Sequence, residues 1–151
     1  MKVEIRKLSG GDIEQFTELI RVFEDVFEME NFHTPGRDYL QEVLANQNFF
    51  VFVAELDGRI LGGLTAYVLQ QYYSELPQVY IYDLAVKTEY QRQGIGRKLI
   101  SGITKYSGEK GMDEVFVQAD LEDTHALEFY RATGGTPEQV IHFTYALKGM
   151  P

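Results

Sequence analysis

The sequence has 151 residues, a length suited to one compact domain, and it contains no cysteine. Disulfides, thiolate nucleophiles and cysteine-based zinc sites are therefore excluded. A net charge of −9 at pH 7 disfavours binding to nucleic acid or anionic membranes and favours small cationic ligands, although an acidic surface can also serve solubility alone.

The spacing of apolar residues predicts ten elements in the order βααβββαβαβ. Strands are predicted at 2–8, 49–56, 60–69, 79–86, 115–119 and 140–147, and helices at 13–27 and 38–46. A third helix begins at 95 and ends at Gly108 or Gly111, and a fourth begins at a cap at Asp123 or Thr124 and ends at Gly134-Gly135. Asp57-Gly58 predicts a tight hairpin between two of the strands. In the strand at 79–86, Tyr80, Tyr82 and Leu84 alternate with Ile81 and Asp83. The chain is thus predicted to be one α/β (α+β) domain over 1–151, with a central mixed, mostly antiparallel sheet flanked by helices.

The junction between the strand at 79–86 and the following helix is the most informative stretch. Gly94 and Gly96 allow backbone amides from about Arg92 to Arg97 to approach an anion at a helix N-terminus. Lys98 adds positive charge. The turn lacks the Gly-Lys-Ser/Thr ending of a Walker A loop and the third glycine of a dinucleotide fingerprint. By itself it could also be an ordinary strand-to-helix turn.

The run Gln91-Arg92-Gln93-Gly94-Ile95-Gly96 resembles the signature of the GNAT superfamily of N-acetyltransferases, and the resemblance covers nearly the whole chain. It implies that acetyl-CoA is the co-substrate, that no metal is required, and that the sheet splays between the strands at 79–86 and 114–120. In that family the free strand backbone pairs with the pantetheine arm and the turn holds the pyrophosphate. The coenzyme-binding residues implied are Leu84, Ala85, Val86, Gln91, Arg92, Gln93, Gly94, Ile95, Gly96 and Arg97.

Two segments are similar to a narrower group, the aminoglycoside 3-N-acetyltransferases of the gentamicin-modifying type. They are Tyr80-Ile81-Tyr82-Asp83-Leu84-Ala85-Val86 and Val117-Gln118-Ala119-Asp120. The resemblance implies an aminoglycoside substrate acetylated at the 3-amino group of its 2-deoxystreptamine ring. The first 50 residues match weakly, which leaves a polyamine, another aminosugar or a protein amine as alternative acceptors. A non-catalytic acyl-coenzyme-A-binding module is a further alternative.

Asp83 interrupts an apolar strand directly before the backbone expected to bind the acetyl group. A charge in such a position is costly unless it is paired or functional. We therefore predict that Asp83 is catalytic and substrate-binding, orienting the amine and helping to remove its proton. If the substrate cation holds Asp83 ionised, a water chain could act as the base instead. An edge-strand position or an internal salt bridge is the structural alternative.

Three further residues are candidates for acceptor binding. Asp120 is expected to end the strand predicted at 115–119 and to point into the opening between that strand and the strand at 79–86. The alternative is a role in a turn. Asp123 is expected to cap a helix, to contact substrate, or both. His142 lies on the predicted last strand, as a substrate contact or a plain strand residue. Tyr130 matches the family's tyrosine near the coenzyme sulfur, and this resemblance implies that it is a catalytic general acid. The alternative is a tyrosine that packs in the core.

Other sequence features limit the possible binding partners and the cellular compartment. His33, His125 and His142 lack metal-ligand spacing, so no metal is expected. The N-terminal residues lack the apolar core of a signal peptide, and no apolar run is long enough to cross a membrane, so a cytoplasmic enzyme is predicted. Because related enzymes are often homodimers, a homodimer is predicted, with no nucleic acid or membrane partner.

Overall fold

The computed structural model describes residues 2–148, which divide into two compact units between Gln118 and Ala119. The first unit contains β1 (Glu4–Lys7), α1 (Ile13–Val26), α2 (Arg37–Ala45), β2 (Phe49–Leu56), β3 (Arg59–Leu69), β4 (Gln78–Val86), a 3-10 turn (Thr88–Tyr90), α3 (Ile95–Glu109) and β5 (Glu114–Val117). The second unit contains α4 (Thr124–Ala132).

The five strands form one sheet in the order β1-β2-β3-β4-β5. The first three pairings are antiparallel, and β5 runs parallel to β4 because α3 crosses over between them. The mixed, mostly antiparallel sheet flanked by helices is thereby confirmed. At the β2–β3 turn, Asp57 and Gly58 have φ values of 49° and 78°, the left-handed geometry that a two-residue hairpin requires.

A hydrophobic layer covers each face of the sheet. On one face, buried residues of α1 and α2, including Leu19 and Leu44, pack against Val51 and Val53. On the other face, Leu99 and Ile103 of α3 pack against β2, β3 and β4. These side chains recur at helical spacing, so each helix buries one stripe and leaves its opposite side in solvent.

Gly62 permits β3 and β4 to lie close together beside the opening described below. A Cβ at this position would lie 2.5 Å from the carbonyl oxygen of Ala85 and 2.9 Å from Cα of Val86, so no larger residue fits without moving β4. The position of β4 therefore depends on a residue with no side chain.

Two strand predictions are wrong. Residues 140–147 alternate as a strand would, but they have no regular secondary structure, because none of them pairs with another strand within residues 2–148. β5 ends at Val117, so Asp120 follows the strand by three residues instead of ending it. The other predicted elements are confirmed to within a few residues. Among residues 2–148, no helix is both long and apolar enough to cross a membrane.

Candidate active site

β4 and β5 separate after four paired positions. Gln78 to Ile81 pair with Glu114 to Val117, whereas β4 continues to Val86 with no strand beside it on that edge within the described part of the chain. The predicted splay is confirmed. The C-terminal half of β4 therefore presents backbone groups to an opening next to β5.

The register of β3 and β4 shows which backbone groups face this opening. The N–H of Lys87 donates to the carbonyl of Leu61 at 2.8 Å, and Gly63 lies opposite Ala85. Because hydrogen-bonded positions alternate along an antiparallel pair, Ala85 bonds to β3, whereas Leu84 and Val86 point away from it. Of the three β4 residues predicted to bind the coenzyme, Leu84 and Val86 therefore have backbone groups that face the opening.

The turn after β4 is anchored to the strand by Gln91. Its Nε2 donates to the carbonyl oxygen of Val86 at 2.9 Å. This bond occupies the carbonyl oxygen of Val86. The N–H of Val86 and the N–H and C=O of Leu84 remain directed at the opening. Gln91 thereby holds the turn against the end of β4 by a hydrogen bond to the backbone.

The turn itself forms a nest of backbone donors. Arg92 and Gly94 both adopt positive φ, 61° and 85°, and the first helical hydrogen bond of α3 is that from Lys98 N to Gly94 O at 3.1 Å. The successive N–H groups of residues 92–96 donate to no acceptor among the residues described. Such a nest at a helix N-terminus binds phosphate oxygens, and the first turn of α3 carries no acidic residue. This donor set fits a pyrophosphate.

Asp83 lies at a β-bulge where β4 faces the opening. Thr65 pairs with Asp83 and Ala66 with Ile81, so Tyr82 is the extra residue. The half-buried carboxylate forms no hydrogen bond or ion pair with any residue between 2 and 148. Burial raises the pKa of Asp83. A carboxylate held in this way is suited to accept a proton or to pair with a cation brought by a ligand.

Aromatic side chains lie near this carboxylate. The ring centroid of Tyr82 lies 5.8 Å from that of Tyr67 and 5.9 Å from that of Tyr80, and Phe116 of β5 stacks on Tyr80 at 4.8 Å. We call Tyr67, Tyr80, Tyr82 and Phe116 the aromatic face. Burial, followed by neighbouring groups that include Asp83, raises the pKa of both Tyr67 and Tyr80. These phenols therefore stay neutral at ordinary pH and can offer ring faces and hydroxyls to a cationic ligand.

Sequence reasoning assigned no role in the site to Tyr67, Tyr80, Tyr82 or Phe116. Tyr67 lies directly opposite Tyr80 in the β3–β4 register, and Phe116 lies opposite it in the β4–β5 register. The available signal was the pair of tyrosines flanking Ile81. Such a pair places aromatic side chains on a face that a buried strand would otherwise fill with aliphatic residues.

The other predicted acceptor and acid residues belong to the second unit. Asp123 caps α4, with Oδ1 accepting a hydrogen bond from Ala126 N at 3.1 Å. The carbonyl of Asp120 accepts from Asp123 N at 2.9 Å, which forms a turn. Tyr130 is half-buried on α4, with its ring 5.1 Å from that of Phe129. His142 is exposed in the segment that lacks secondary structure.

An acidic depression lies at the end of α1. It is lined by Arg21, Glu24, Asp25, Glu28, Met29 and Glu30.

A family model supplies the decisive comparison. The model of the Acetyltransferase (GNAT) family matches residues 14–134, which include the splayed strand, the donor nest and α4. The chain belongs to this family. The predicted superfamily is thereby confirmed.

Two solved structures from uncultured soil metagenomic samples are similar over nearly the full length. The chain is 55% identical to the aminoglycoside acetyltransferase meta-AAC0020 in complex with sisomicin, with 97% of each chain covered and a TM-score of 0.95. It is 32% identical to the aminoglycoside acetyltransferase HMB0005, with 98% of this chain and 100% of that chain covered and a TM-score of 0.91.

Curated relatives are more distant. The N-acetyltransferase family 8 member 3 of Mus musculus is 22% identical over 117 residues, which are 78% of this chain and 52% of the relative. The chain spans about half the length of the curated relatives it matches.

Proposed function

We propose that this GNAT enzyme transfers the acetyl group of acetyl-CoA to the 3-amino group of a 2-deoxystreptamine aminoglycoside. The observation that carries the proposal is the half-buried carboxylate of Asp83, which has no hydrogen-bond or ion-pair partner between residues 2 and 148 and lies near Tyr67 and Tyr80 beside the splayed end of β4. A cationic amine supplies the missing partner.

The coenzyme would bind along the opening next to β4. The pyrophosphate fits the nest of N–H groups at 92–96, and the pantetheine amides would pair with Leu84 and Val86 as an added strand. Acetyl-CoA supplies an acyl group activated as a thioester. A backbone N–H of this stretch would stabilise the oxyanion that develops on the acetyl carbonyl.

The acceptor would bind over the aromatic face. Aminoglycosides carry several ammonium groups on sugar rings, which suit carboxylates and aromatic surfaces alike. The net charge of −9 favours such a polycation over an anionic acceptor. The sisomicin complex of meta-AAC0020, which is 55% identical, supports the same substrate class here.

The chemistry requires that two protons leave the acceptor nitrogen and that one reaches the leaving sulfur. The ammonium must first lose a proton to Asp83, or through water, after which the amine nitrogen attacks the thioester carbonyl carbon. The new C–N bond forms, the nitrogen releases its second proton as the C–S bond breaks, and the leaving sulfur takes a proton, for which Tyr130 is the proposed donor. The second proton released from nitrogen restores the hydroxyl of Tyr130. The raised pKa of Asp83 makes it a better proton acceptor than an ordinary aspartate.

Paired substrates test the position of acetylation. Neomycin and paromomycin differ in that paromomycin carries a hydroxyl in place of the 6′-amino group, whereas both retain the 3-amino group. Acetyl-CoA-dependent thiol release should be similar for both, and NMR should place the acetyl group on the 3-amino nitrogen. Loss of turnover on paromomycin alone would assign the 6′-amino group instead.

Two controls separate the remaining alternatives. Spermidine and a lysine-rich peptide should be poor acceptors if the aromatic face selects a sugar. Turnover on one of them, with none on any aminoglycoside, would keep the acetyltransferase and discard the drug-modifying assignment. Coenzyme binding by calorimetry without turnover on any amine would indicate a non-catalytic module.

A further inference from the structure

Thr65 is a buried polar residue in the middle of β3. Its exposed fraction is 7%, and Thr65 and Ser107 are the buried polar residues of the chain between residues 2 and 148. The hydroxyl of Thr65 forms no hydrogen bond with any residue in that range. A buried hydroxyl without a partner is unfavourable, because it has lost bonds to water and gained none in exchange. A ligand that bonds to this hydroxyl would remove the cost.

The strand register places Thr65 beside Asp83. The two residues lie directly opposite each other on β3 and β4, and Val51 of β2 lies on the other side of Thr65. Side chains that are directly opposite project from the same face of a sheet, with Cβ atoms about 4.5–5.5 Å apart. Thr65 and Asp83 therefore form a polar pair across two strands, and no hydrogen bond joins their side chains.

The next row of residues on this face, towards the C-terminal end of β4, is apolar and closed by α1. It pairs Gly63 with Ala85, which is 4% exposed. A Cβ at Gly63 would lie 2.8 Å from Cδ1 of Leu19, so the side chain of Leu19 lies directly against this row. The polar pair is therefore bounded by protein on this side.

The row on the other side of the pair belongs to the aromatic face. Tyr67 is the next residue on this face of β3, and it is 37% exposed. Among the described residues, the side-chain oxygens that lack a partner and are fully enclosed belong to Gln71 and Ser107, so the hydroxyl of Thr65 remains accessible. A ligand that lies over the aromatic face can therefore contact the hydroxyl of Thr65 and the carboxylate of Asp83 together.

We propose that the hydroxyl of Thr65 accepts a hydrogen bond from the same acceptor amine that Asp83 binds, so that the two side chains together hold the reacting nitrogen. The inference rests on the proposed function, because it concerns the acceptor of that reaction. An ammonium group carries several N–H donors and can bond to both oxygens at once. A nitrogen within hydrogen-bond distance of each can bridge two oxygens that are too far apart to bond to each other.

A threonine hydroxyl suits this position chemically. It accepts a hydrogen bond without carrying charge, so it does not repel the carboxylate of Asp83 as a second carboxylate would. A sugar hydroxyl has a single O–H donor and could satisfy only one of the two oxygens, whereas an amine can satisfy both. The pair of Thr65 and Asp83 therefore favours the amino groups of an aminoglycoside over its hydroxyls.

Thr65→Val tests the contact, because it removes the hydroxyl and keeps the shape of the side chain. The Michaelis constant for the aminoglycoside should rise at least about tenfold, as expected for a lost hydrogen bond to a charged group. The value of kcat should change little, since the bond is present before and during attack. Calorimetry with sisomicin and coenzyme A, which cannot react, should show the same loss of affinity. Thr65→Ser retains the hydroxyl and should stay near the wild-type values.

The matched control is Thr104→Val. Thr104 is exposed on α3, which covers the other face of the sheet, and its hydroxyl bonds only to carbonyls of its own helix. This variant should leave the Michaelis constant unchanged. If Thr65→Val does not fold, the contrast between Thr65→Ala and Thr65→Ser carries the test, because only the alanine variant lacks the hydroxyl.

The melting temperature separates ligand binding from a structural role. Thr65→Val should melt at the wild-type temperature or above it, because the hydroxyl has no partner to lose between residues 2 and 148. A lower melting temperature that Thr65→Ser restores, with sisomicin affinity unchanged in both variants, would show a structural hydroxyl and overturn the inference.

The remaining outcomes distinguish this inference from the proposed function. Equal Michaelis constants and sisomicin affinities for Thr65→Val and the wild type would overturn the role of Thr65 alone. Acetylation at another amino group, or turnover on spermidine alone, would overturn the proposed function. The contrast between Thr65→Val and Thr65→Ser, repeated on the amine that is acetylated, would then decide the role of Thr65. Absence of binding and turnover with every amine would overturn both.

Discussion

The hydroxyl of Tyr80 donates to Oε1 of Gln118 at 3.0 Å, just beyond the point where β4 and β5 stop pairing. The last paired positions are Ile81 and Val117, so this bond links the two strands where their backbones begin to diverge. It holds the ring of Tyr80 over the stacked ring of Phe116 and thereby fixes the edge of the aromatic face next to Asp83.

We expect Tyr80→Phe to loosen this edge while keeping the ring stack. The Michaelis constant for the acceptor should rise about three- to fivefold, in line with the loss of one hydrogen bond of about 1 kcal/mol. Gln118→Ala should have a similar effect, and the double variant should be no worse than either, which would give a coupling of about 0.5–1 kcal/mol. Tyr73→Phe, in an exposed loop, is the control. Additive losses would show that the bond does not position the acceptor.

The pH–rate profile should report Asp83. Catalysis requires the ionised carboxylate, so kcat/KM should fall as pH decreases through a pKa that burial has raised above the ordinary value of about 3.9. Asp83→Asn should lower kcat at least about tenfold and abolish this acidic limb. A variant with wild-type turnover, or one that retains the same limb, would exclude Asp83 from the mechanism.

The same substitution should stabilise the protein at neutral pH. Burial raises the folded-state pKa of Asp83, so the folded state favours the neutral acid, and this favourable contribution is lost as pH rises through the folded pKa. Asp83→Asn removes the unpaired charge, and its melting temperature should exceed that of the wild type at pH 7. The difference should disappear below the ordinary aspartate pKa of about 3.9, where both side chains are neutral. Equal melting temperatures at both pH values would indicate a carboxylate that is already well solvated.

Much of the fold follows from periodicity in the sequence. The strand at Phe49–Leu56 was predicted at its observed bounds, and the Asp57-Gly58 hairpin is confirmed, because both depend on local patterns. The splay depended on resemblance to a family and is also confirmed. The prediction of a last strand is wrong for a physical reason. Alternation shows that residues 140–147 suit a strand, but a strand also needs a partner strand, and no local pattern specifies that partner.

The site shows a second limit of sequence reasoning. Strict alternation placed Asp83 on the face opposite Tyr80. In the structure, Asp83 lies opposite Thr65 and Tyr80 opposite Tyr67, which are two residues apart on β3 and therefore share a face. The extra residue at Tyr82 changes the phase of the strand. A bulge depends on the register between strands, so periodicity within a single strand could not reveal it.

Gly94 provides the sharpest test of the donor nest, because Gly111 offers a matched control at the other end of α3. Both glycines have positive φ, 85° and 76°, and a Cβ at either would meet no atom within 4 Å. Alanine should therefore cost each site a similar backbone strain of about 1–2 kcal/mol. Only Gly94→Ala places a methyl group and strain in the turn that presents the N–H groups of 92–96, so only it should weaken coenzyme A binding, by about tenfold in calorimetry. Equal affinities for the two variants would show that the nest does not hold the pyrophosphate.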